Sequence, residues 1–346
     1  MDKKHTLLFI NGIYRSGTTF LSRLIDAFPD SYIHEDGFRF PYYYLLDQDR
    51  NMVYPRDMQK KEKLRLDRCP SDFPDFINNL RNEIERRPIN GQLKEKLINF
   101  TGSLQKENTF LEIARSIFDL TQEHAGTRIV GTKTTYQHNY INDLLEFFPE
   151  AKWIEIIRDP RAIYASAKKS HAPDLKFICD VWNNAARAYV NVAGRHQPRF
   201  LLIKYEDLVL NPENTLSVIK RFLNLDIDLA AYLKDLSLSR NDDSSWFSNS
   251  SYKQNGVGWR DVGVKTAEYF DRQPVFRWQN NLNRLEQRII AARCKENIER
   301  YGFPVKATEN KFKIKDLRAV VLWFFKASTL KFIVKDILAK HAKVLS

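Results

Sequence analysis

Cysteine is scarce in this chain, and the three that occur lie far apart. Cys69, Cys179 and Cys294 form no CxxC pair and no metal-ligand spacing, which points to a reducing compartment rather than a disulfide framework. Glycine and proline are also sparse, at 12 and 13 of 346 residues, which excludes collagen-like and low-complexity chains. No apolar stretch reaches the roughly 18 residues that would span a bilayer. The run Leu7-Leu8-Phe9-Ile10 is too short for the core of a secretory signal, so none is expected. Acidic residues are outnumbered, 43 Asp and Glu against 55 Lys and Arg, for a net charge of +12. That excess suits nucleic acid, an anionic ligand or an acidic membrane, and only its placement along the chain separates them.

What is present is ample material for a core: 43% of residues are hydrophobic and 13% aromatic. The length allows one large α/β domain or two ordinary ones. Thr6 to Asn11 reads as a buried strand, followed by a loop and a helix from Thr18 or Thr19 that Pro29-Asp30 ends. Ser71 to Arg87, Thr109 to Glu123, Ile141 to Phe148 and Asp174 to Arg195 carry helical periodicity. Arg128 to Gly131, Trp153 to Ile157 and Phe200 to Ile203 read as strands. Further helices are expected near Arg161, after Asn211-Pro212-Glu213, and from Asn281 to Tyr301, where Gly302 and Pro304 stop the last. Ser237 to Gly263 reads as a surface loop. Repeated strand–loop–helix order with continuous apolar strands predicts an α/β fold of the P-loop type, in three layers, with a central parallel sheet flanked by helices. A helical C-terminal extension follows, so the expected division is an α/β domain over 1–305 and a basic amphipathic tail over 306–346.

The most specific segment is Gly12-Ile13-Tyr14-Arg15-Ser16-Gly17-Thr18-Thr19, between a strand and a helix. A helix N-terminus offers free N–H groups and a positive dipole, and glycine lets the backbone approach an anion. The ATP-binding form of such a loop, GxxxxGK[ST], has lysine where this chain has Thr18, which argues against nucleoside triphosphate hydrolysis. Arg15 supplies positive charge instead. A second strand-to-helix junction, Ile156-Ile157-Arg158-Asp159-Pro160-Arg161, puts Arg158 at a strand's C-terminal edge, where open α/β sheets bind ligands. Ser166 follows on the helix, and the two side chains suit a phosphate. Arg158 taken alone also suits a structural ion pair, with Asp159 beside it.

RSGTT and RDPRAIYAS, in this order and separation, resemble the sulfotransferases that use 3′-phosphoadenylyl sulfate (PAPS). The likeness runs over roughly residues 5–305 in motif order. It is closer to the tyrosylprotein, carbohydrate and bacterial branches than to the cytosolic phenol and steroid branch. The resemblance implies a 5′-phosphosulfate loop from Arg15 through Ser16, Gly17 and Thr18 to Thr19, and a 3′-phosphate site at Arg158 and Ser166. It also implies a tyrosine, Tyr205 of Lys204-Tyr205-Glu206-Asp207-Leu208, near the adenine. Phe20 sits where relatives place an aromatic or apolar residue on the adenine, though a core role suits it equally. Asn255-Gly256-Val257-Gly258-Trp259-Arg260 resembles, more loosely, the loop that closes over the 3′-phosphate, with Lys253 adding charge before Gly256 and Gly258.

Sulfuryl transfer by in-line displacement requires a base for the acceptor hydroxyl and cations for the leaving oxygen. The transferred group carries less charge than a phosphoryl group, so no metal is demanded. The cytosolic branch's histidine is replaced here by Thr135, in Gly131-Thr132-Lys133-Thr134-Thr135. The tyrosylprotein and glycan branches use a glutamate downstream of the phosphate loop, and Ile33-His34-Glu35-Asp36 follows Arg15 here at the end of an expected strand. Glu35 is therefore the expected general base, with Asp36 second and His34 third, and Lys133 is the second cation beside Arg15. The implied activity is PAPS-dependent transfer to a hydroxyl-bearing acceptor, with a glycan or lipid-linked sugar favoured and a small molecule or peptide tyrosine also open. Tyr42, Tyr43 and Tyr44 are candidates to stack on such a sugar, and His138 is a candidate contact of lesser weight.

Residues 311–346 hold nine Lys or Arg against two Asp, so most of the net charge lies in the tail. Leu330, Ile333, Val334, Ile337 and Leu338 share a helical face opposite Lys331, Lys335 and Lys340, the pattern of an in-plane helix on anionic lipid. Docking on its own domain or on a second copy fits the same pattern. The expectation is a cytoplasmic protein, peripheral on a membrane face, with no nucleic-acid partner. The competing readings are a P-loop kinase or NTPase and a non-catalytic, membrane-associated anion-binding protein.

Overall fold

The apolar run Thr6–Gly12 forms β1, buried at every position but the first, as a strand covered on both faces must be. The computed structural model describes residues 6–35, 64–87, 89–135, 137–168, 174–234, 236 and 269–304. After β1 come α1 (Thr18–Asp26), β2 (Ser31–Glu35), α2 (Phe73–Arg86), α3 (Gly91–Ser103), α4 (Phe110–Ala125), β3 (Ile129–Lys133), α5 (Ile141–Phe147) and β4 (Lys152–Ile157). The order continues through α6 (Pro160–Lys168), α7 (Leu175–His196), β5 (Phe200–Lys204), α8 (Tyr205–Leu210), α9 (Pro212–Leu223) and α10 (Leu229–Lys234).

The five strands form one parallel sheet in the order β2-β3-β1-β4-β5. Side-chain alternation divides β1 between two layers. Leu8 and Ile10 join Leu24 and Ile25 of α1 and Leu216 and Ile219 of α9 in one core cluster. Phe9 faces the other way, with ring centroids 6.2 Å from Phe118 of α4, 5.6 Å from Phe148 and 5.4 Å from Trp153 of β4. The chain leaves β1 toward β2 and β3 on one side, then crosses to β4 and β5 on the other. The strand order therefore reverses at β1 and β4, and the crevice beyond their carboxyl ends is where sheets of this kind take ligands.

Two differences from the periodicity have local causes. The periodicity gives no helix at α3, because Gly91 and Gly102 bracket a run that buries only Leu93, Leu97 and Thr101; the Asn90 side chain, accepting from the N–H groups of Gln92 and Leu93, starts it. The single helix expected over Asn281 to Tyr301 is two, α11 (Arg284–Arg293) and α12 (Lys295–Arg300). Cys294, at φ −104° and ψ 9°, ends the first and caps the second. Gly302 does act as the stop, at φ 65°, with its N–H donating to the Glu299 carbonyl at 3.1 Å.

The chain divides into two units, Met1–Trp278 and Gln279–Ser346. Among the described residues no helix is long and apolar enough to cross a membrane. Asp36, the tyrosines 42–44, the expected loop 237–263 with Lys253, Gly256 and Gly258, and the tail 306–346 lie outside the described residues.

Candidate active site

The turn between β1 and α1 is shaped by two left-handed residues, Arg15 at φ 71° and Gly17 at φ 101°. The Ser16 N–H closes the turn on the Ile13 carbonyl at 3.0 Å. Gly12 has no room for a side chain: a Cβ there would lie 2.4 Å from Ser16 Oγ and 2.7 Å from the Ile156 carbonyl of β4. A Cβ on Gly17 would lie 2.4 Å from the Tyr205 ring, so the loop packs against β4 on one side and the start of α8 on the other. Gly17 is the N-cap of α1 and brings no side chain to that end, which leaves its first N–H groups for another acceptor. Ser16 Oγ is buried with no hydrogen-bond partner among the described residues.

Arg158 follows β4 and reaches back to this loop. Its Nη1 donates to the Arg15 carbonyl at 2.9 Å and its Nη2 to the Pro274 carbonyl at 2.6 Å. The guanidinium lies 4.0 Å from the centroid of the Tyr205 ring, a cation–π stack. Its Nε has no partner among the described residues, and a guanidinium carries five donors, so Arg158 keeps capacity for an anion. The alternative of an Arg158–Asp159 ion pair is set aside by the geometry. The Asp159 carboxylate is held instead by Arg161, with Nε at 3.0 Å and Nη2 at 2.7 Å, and Arg161 in turn lies over the Trp278 ring at 4.0 Å. Next to them, Glu206 accepts the Asp159 N–H at 3.0 Å. Burial, then the neighbouring Asp159 charge, push its carboxyl up to about 7, partly offset by Arg158.

On the other side of β1, Lys133 ends β3 and is buried, with Ile10 of β1 as its register partner. Glu35 ends β2 in register with Lys133, so the two backbones sit at one level on adjacent strands, about 4.8 Å apart by sheet geometry. His34 is a structural residue: its Nε2 donates at 2.9 Å to Thr121 Oγ1, which itself donates to the Ile117 carbonyl. His138 is buried, and desolvation lowers its pKa to about 4, which keeps the imidazole neutral. Phe20 is buried against Phe270, with ring centroids 5.4 Å apart. Thr18 is buried, Thr19 half-buried, and Ser166 sits half-buried within α6, well past its first turn. Among the described residues no group of three or more His, Cys, Asp or Glu is placed to hold a metal ion.

Each sequence-selected segment thus closes a different strand of one sheet, in the spatial order Glu35, Lys133, the Arg15 loop, Arg158, Tyr205. The chain can also be set beside known proteins. A family profile described as "Sulfotransferase family" matches residues 8–228, well over half of the chain. The chain belongs to the sulfotransferase family. The matched span takes in the β1–α1 loop, Lys133, Arg158 and Tyr205. A curated relative of this sulfotransferase-family chain is "Protein-tyrosine sulfotransferase 1" of Danio rerio, 24% identical over 231 residues, which are 65% of this chain and 54% of that protein. The chain therefore spans about half the length of the curated relative it matches. Its fold is similar to the "Sulfotransferase Domain from the Synechococcus PCC 7002 Olefin Synthase", with a TM-score of 0.56 at 18% identity over 88% of this chain and 98% of that one. It is also similar to the "Sulfotransferase Domain from the Curacin Biosynthetic Pathway", with a TM-score of 0.51 at 15% identity over 87% and 99%.

Sequence reasoning missed three members of the neighbourhood: Asn11, Glu155 and Glu206. Glu155 had a signal, a lone carboxylate inside the apolar strand Trp153-Ile154-Glu155-Ile156-Ile157. It is wholly buried, and burial pushes its carboxyl up to about 7 against hydrogen bonds from Tyr189, Asn11 and Trp153.

Proposed function

We propose that this protein moves a sulfuryl group from PAPS to an acceptor hydroxyl by in-line displacement, with Glu35 as general base. The observation that supports the reading is the row of strand ends, where Glu35, Lys133, the Arg15 loop and Arg158 follow one another along one sheet edge. The residues fit the nucleotide: the loop is closed to side chains at Gly12 and Gly17, and Ser16 Oγ and Arg158 Nε are buried donors with unused capacity among the described residues. PAPS supplies the sulfuryl group and a bisphosphate leaving group. Arg15 and the N–H groups of Ser16 to Thr19 hold the 5′-phosphosulfate, while Arg158 and Ser166 hold the 3′-phosphate. Tyr205 flanks the adenine with Phe20 behind it, and Lys253, Gly256 and Gly258 complete the 3′ side. Lys133 and Arg15 neutralise the charge that builds on the leaving oxygen. Glu35 takes the proton of the acceptor hydroxyl. No metal is needed in this scheme.

The acceptor in this proposal is a glycan or lipid-linked sugar, reached from the cytoplasmic face of a membrane on which the basic tail rests. The curated relative's name supports a peptide tyrosine as the second choice.

Arg15→Ala and Arg158→Ala should each abolish tight binding of adenosine 3′,5′-bisphosphate by calorimetry. Glu35→Gln should keep that affinity and lose turnover. Unchanged affinity in both arginine variants would sink the site, and a fully active Glu35→Gln enzyme would move the base elsewhere. A thermal shift with ATP and Mg²⁺ but none with the bisphosphate would favour a P-loop kinase. Radiolabelled PAPS offered to glycan, lipid and tyrosine-peptide extracts identifies the acceptor.

A further inference from the structure

The second layer of the sheet contains a polar pair that the nucleotide site does not use. Asn11, the residue before the phosphate loop, faces Glu155 in register across β1 and β4. Both are fully buried. Asn11 Nδ2 donates to both Glu155 oxygens, at 3.0 and 2.9 Å. Trp153 Nε1 donates to the same carboxyl at 2.8 Å and the Tyr189 hydroxyl at 2.5 Å. Three converging donors suit the ionised carboxylate, the form that only accepts.

The other end of the Asn11 amide points across the sheet, at the segment that follows Lys133. Its Oδ1 accepts the Gln137 N–H at 3.2 Å and the Thr134 hydroxyl at 3.3 Å. The Thr134 N–H is bound to the next carbonyl back, Ile10, at 2.8 Å. Because the Gln137 N–H can only donate, the Asn11 oxygen must face it, and the Asn11 nitrogen must then face Glu155. The amide therefore has one permitted orientation, and Glu155 fixes it.

Asn11 abuts the phosphate loop on one side in sequence and the Lys133 segment on the other in space. We propose that Asn11 and Glu155 are positioning residues, an amide–carboxyl clamp that sets Lys133, Thr134 and Gln137 at a fixed distance from the β1–α1 loop. This rests on the sulfuryl-transfer reading, in which Lys133 and Arg15 must act on one leaving oxygen. A displacement of about 1 Å at such a centre costs up to roughly a hundredfold in rate.

The clamp is tested first without activity. In Asn11→Ala, amide exchange at Gln137 should speed up at least about tenfold while β4 amides keep their protection, as expected when one local hydrogen bond is removed. The consequence is then tested by kinetics. Asn11→Ala should lower kcat by about ten- to a hundredfold, with affinity for adenosine 3′,5′-bisphosphate within about threefold of the parent. Thr134→Val, which removes one of the two bonds to Asn11 Oδ1, should move kcat in the same direction by less. Asn11→Asp should be impaired by a second carboxyl facing Glu155, and Glu155→Gln added to it should recover most of the loss, because the introduced amide donates to the introduced carboxylate and restores the bond in the reverse direction. Ile84→Ala, a cavity in the buried face of α2, controls for stability alone: it should lower Tm and leave kcat unchanged.

Unchanged exchange at Gln137 in Asn11→Ala overturns the clamp. So does a kcat that stays at the parent value in both Asn11→Ala and Thr134→Val, or one that follows Tm across all variants including Ile84→Ala. If Asn11→Ala does not fold, Thr134→Val and the paired Asn11→Asp, Glu155→Gln protein carry the same decision. A parent protein that binds the bisphosphate but transfers no sulfate to any acceptor defeats the functional reading, and the exchange result still decides the clamp.

Discussion

Glu206 shows how one residue can tie the anion site to solution conditions. Its carboxyl is pushed up to about 7, by burial first and by Asp159 second. The unfolded chain holds an ordinary glutamate, near 4.5. Between those two values the native state binds the extra proton, so Glu206 contributes its full stability below about 4.5 and loses it as pH rises through about 7. Glu155 has the same sign and window. The protein should therefore melt at a higher temperature at pH 5.5 than at pH 8, and Glu206→Gln should narrow that gap by raising Tm at pH 8. A gap that Glu206→Gln leaves untouched would remove Glu206 from the account. At this scale the sequence was only partly legible. Arg15, Gly17 and Arg158 stand in short motifs that announce themselves. Asn11 and Glu155 lie 144 residues apart, and only the β1–β4 register brings them opposite one another.

Among the elements, some helix starts were legible from a cap ahead of a broad apolar stripe, whereas α3, capped by Asn90 but burying only Leu93, Leu97 and Thr101, was not. The helix α4 begins with a capping box in which the Thr109 hydroxyl accepts the Glu112 N–H and the Glu112 carboxylate accepts the Thr109 N–H. Its face buries Phe110, Ile113, Ala114, Ile117 and Phe118, the last in the aromatic contact with Phe9 of β1. Thr109→Ala should cost about 1 kcal/mol of stability by denaturant titration, with the slope m unchanged. A loss several times larger would mean that Thr109 does more than cap. The strand ends were legible to within a residue or two because continuous apolar runs mark a doubly covered sheet. The break at Cys294 was not, since its buried thiol fits the periodicity of a continuous helix and only the backbone angles show the interruption.

At the scale of the whole sheet, the candidate residues described above stand at the carboxyl ends of parallel strands, and the strand–loop–helix order along the chain made that parallel arrangement legible. What the order did not reveal was which strands are neighbours. The placement of β1 between β3 and β4 sets the Lys133 segment and Arg158 on opposite sides of the phosphate loop. The +12 charge belongs to the same scale. With the tail resting on a membrane as proposed, its nine Lys or Arg against two Asp carry the contact, and deleting 306–346 should abolish co-sedimentation with vesicles rich in anionic lipid. Bisphosphate affinity should survive the deletion, and vesicle binding that persists would place the membrane contact elsewhere.

In the nucleotide site proposed above, the bond from Arg158 to the Arg15 carbonyl would make the two halves thermodynamically dependent. A guanidinium gripped by a 3′-phosphate is less free to move, and so is the backbone that wraps the 5′ end. The two phosphates of one ligand then bind better joined than their separate fragments would suggest, beyond the usual gain of linking. A double-mutant cycle on Arg15 and Arg158 should fail to add, because removing Arg158 frees the backbone carbonyl of Arg15 and so loosens the loop that aims the Arg15 side chain.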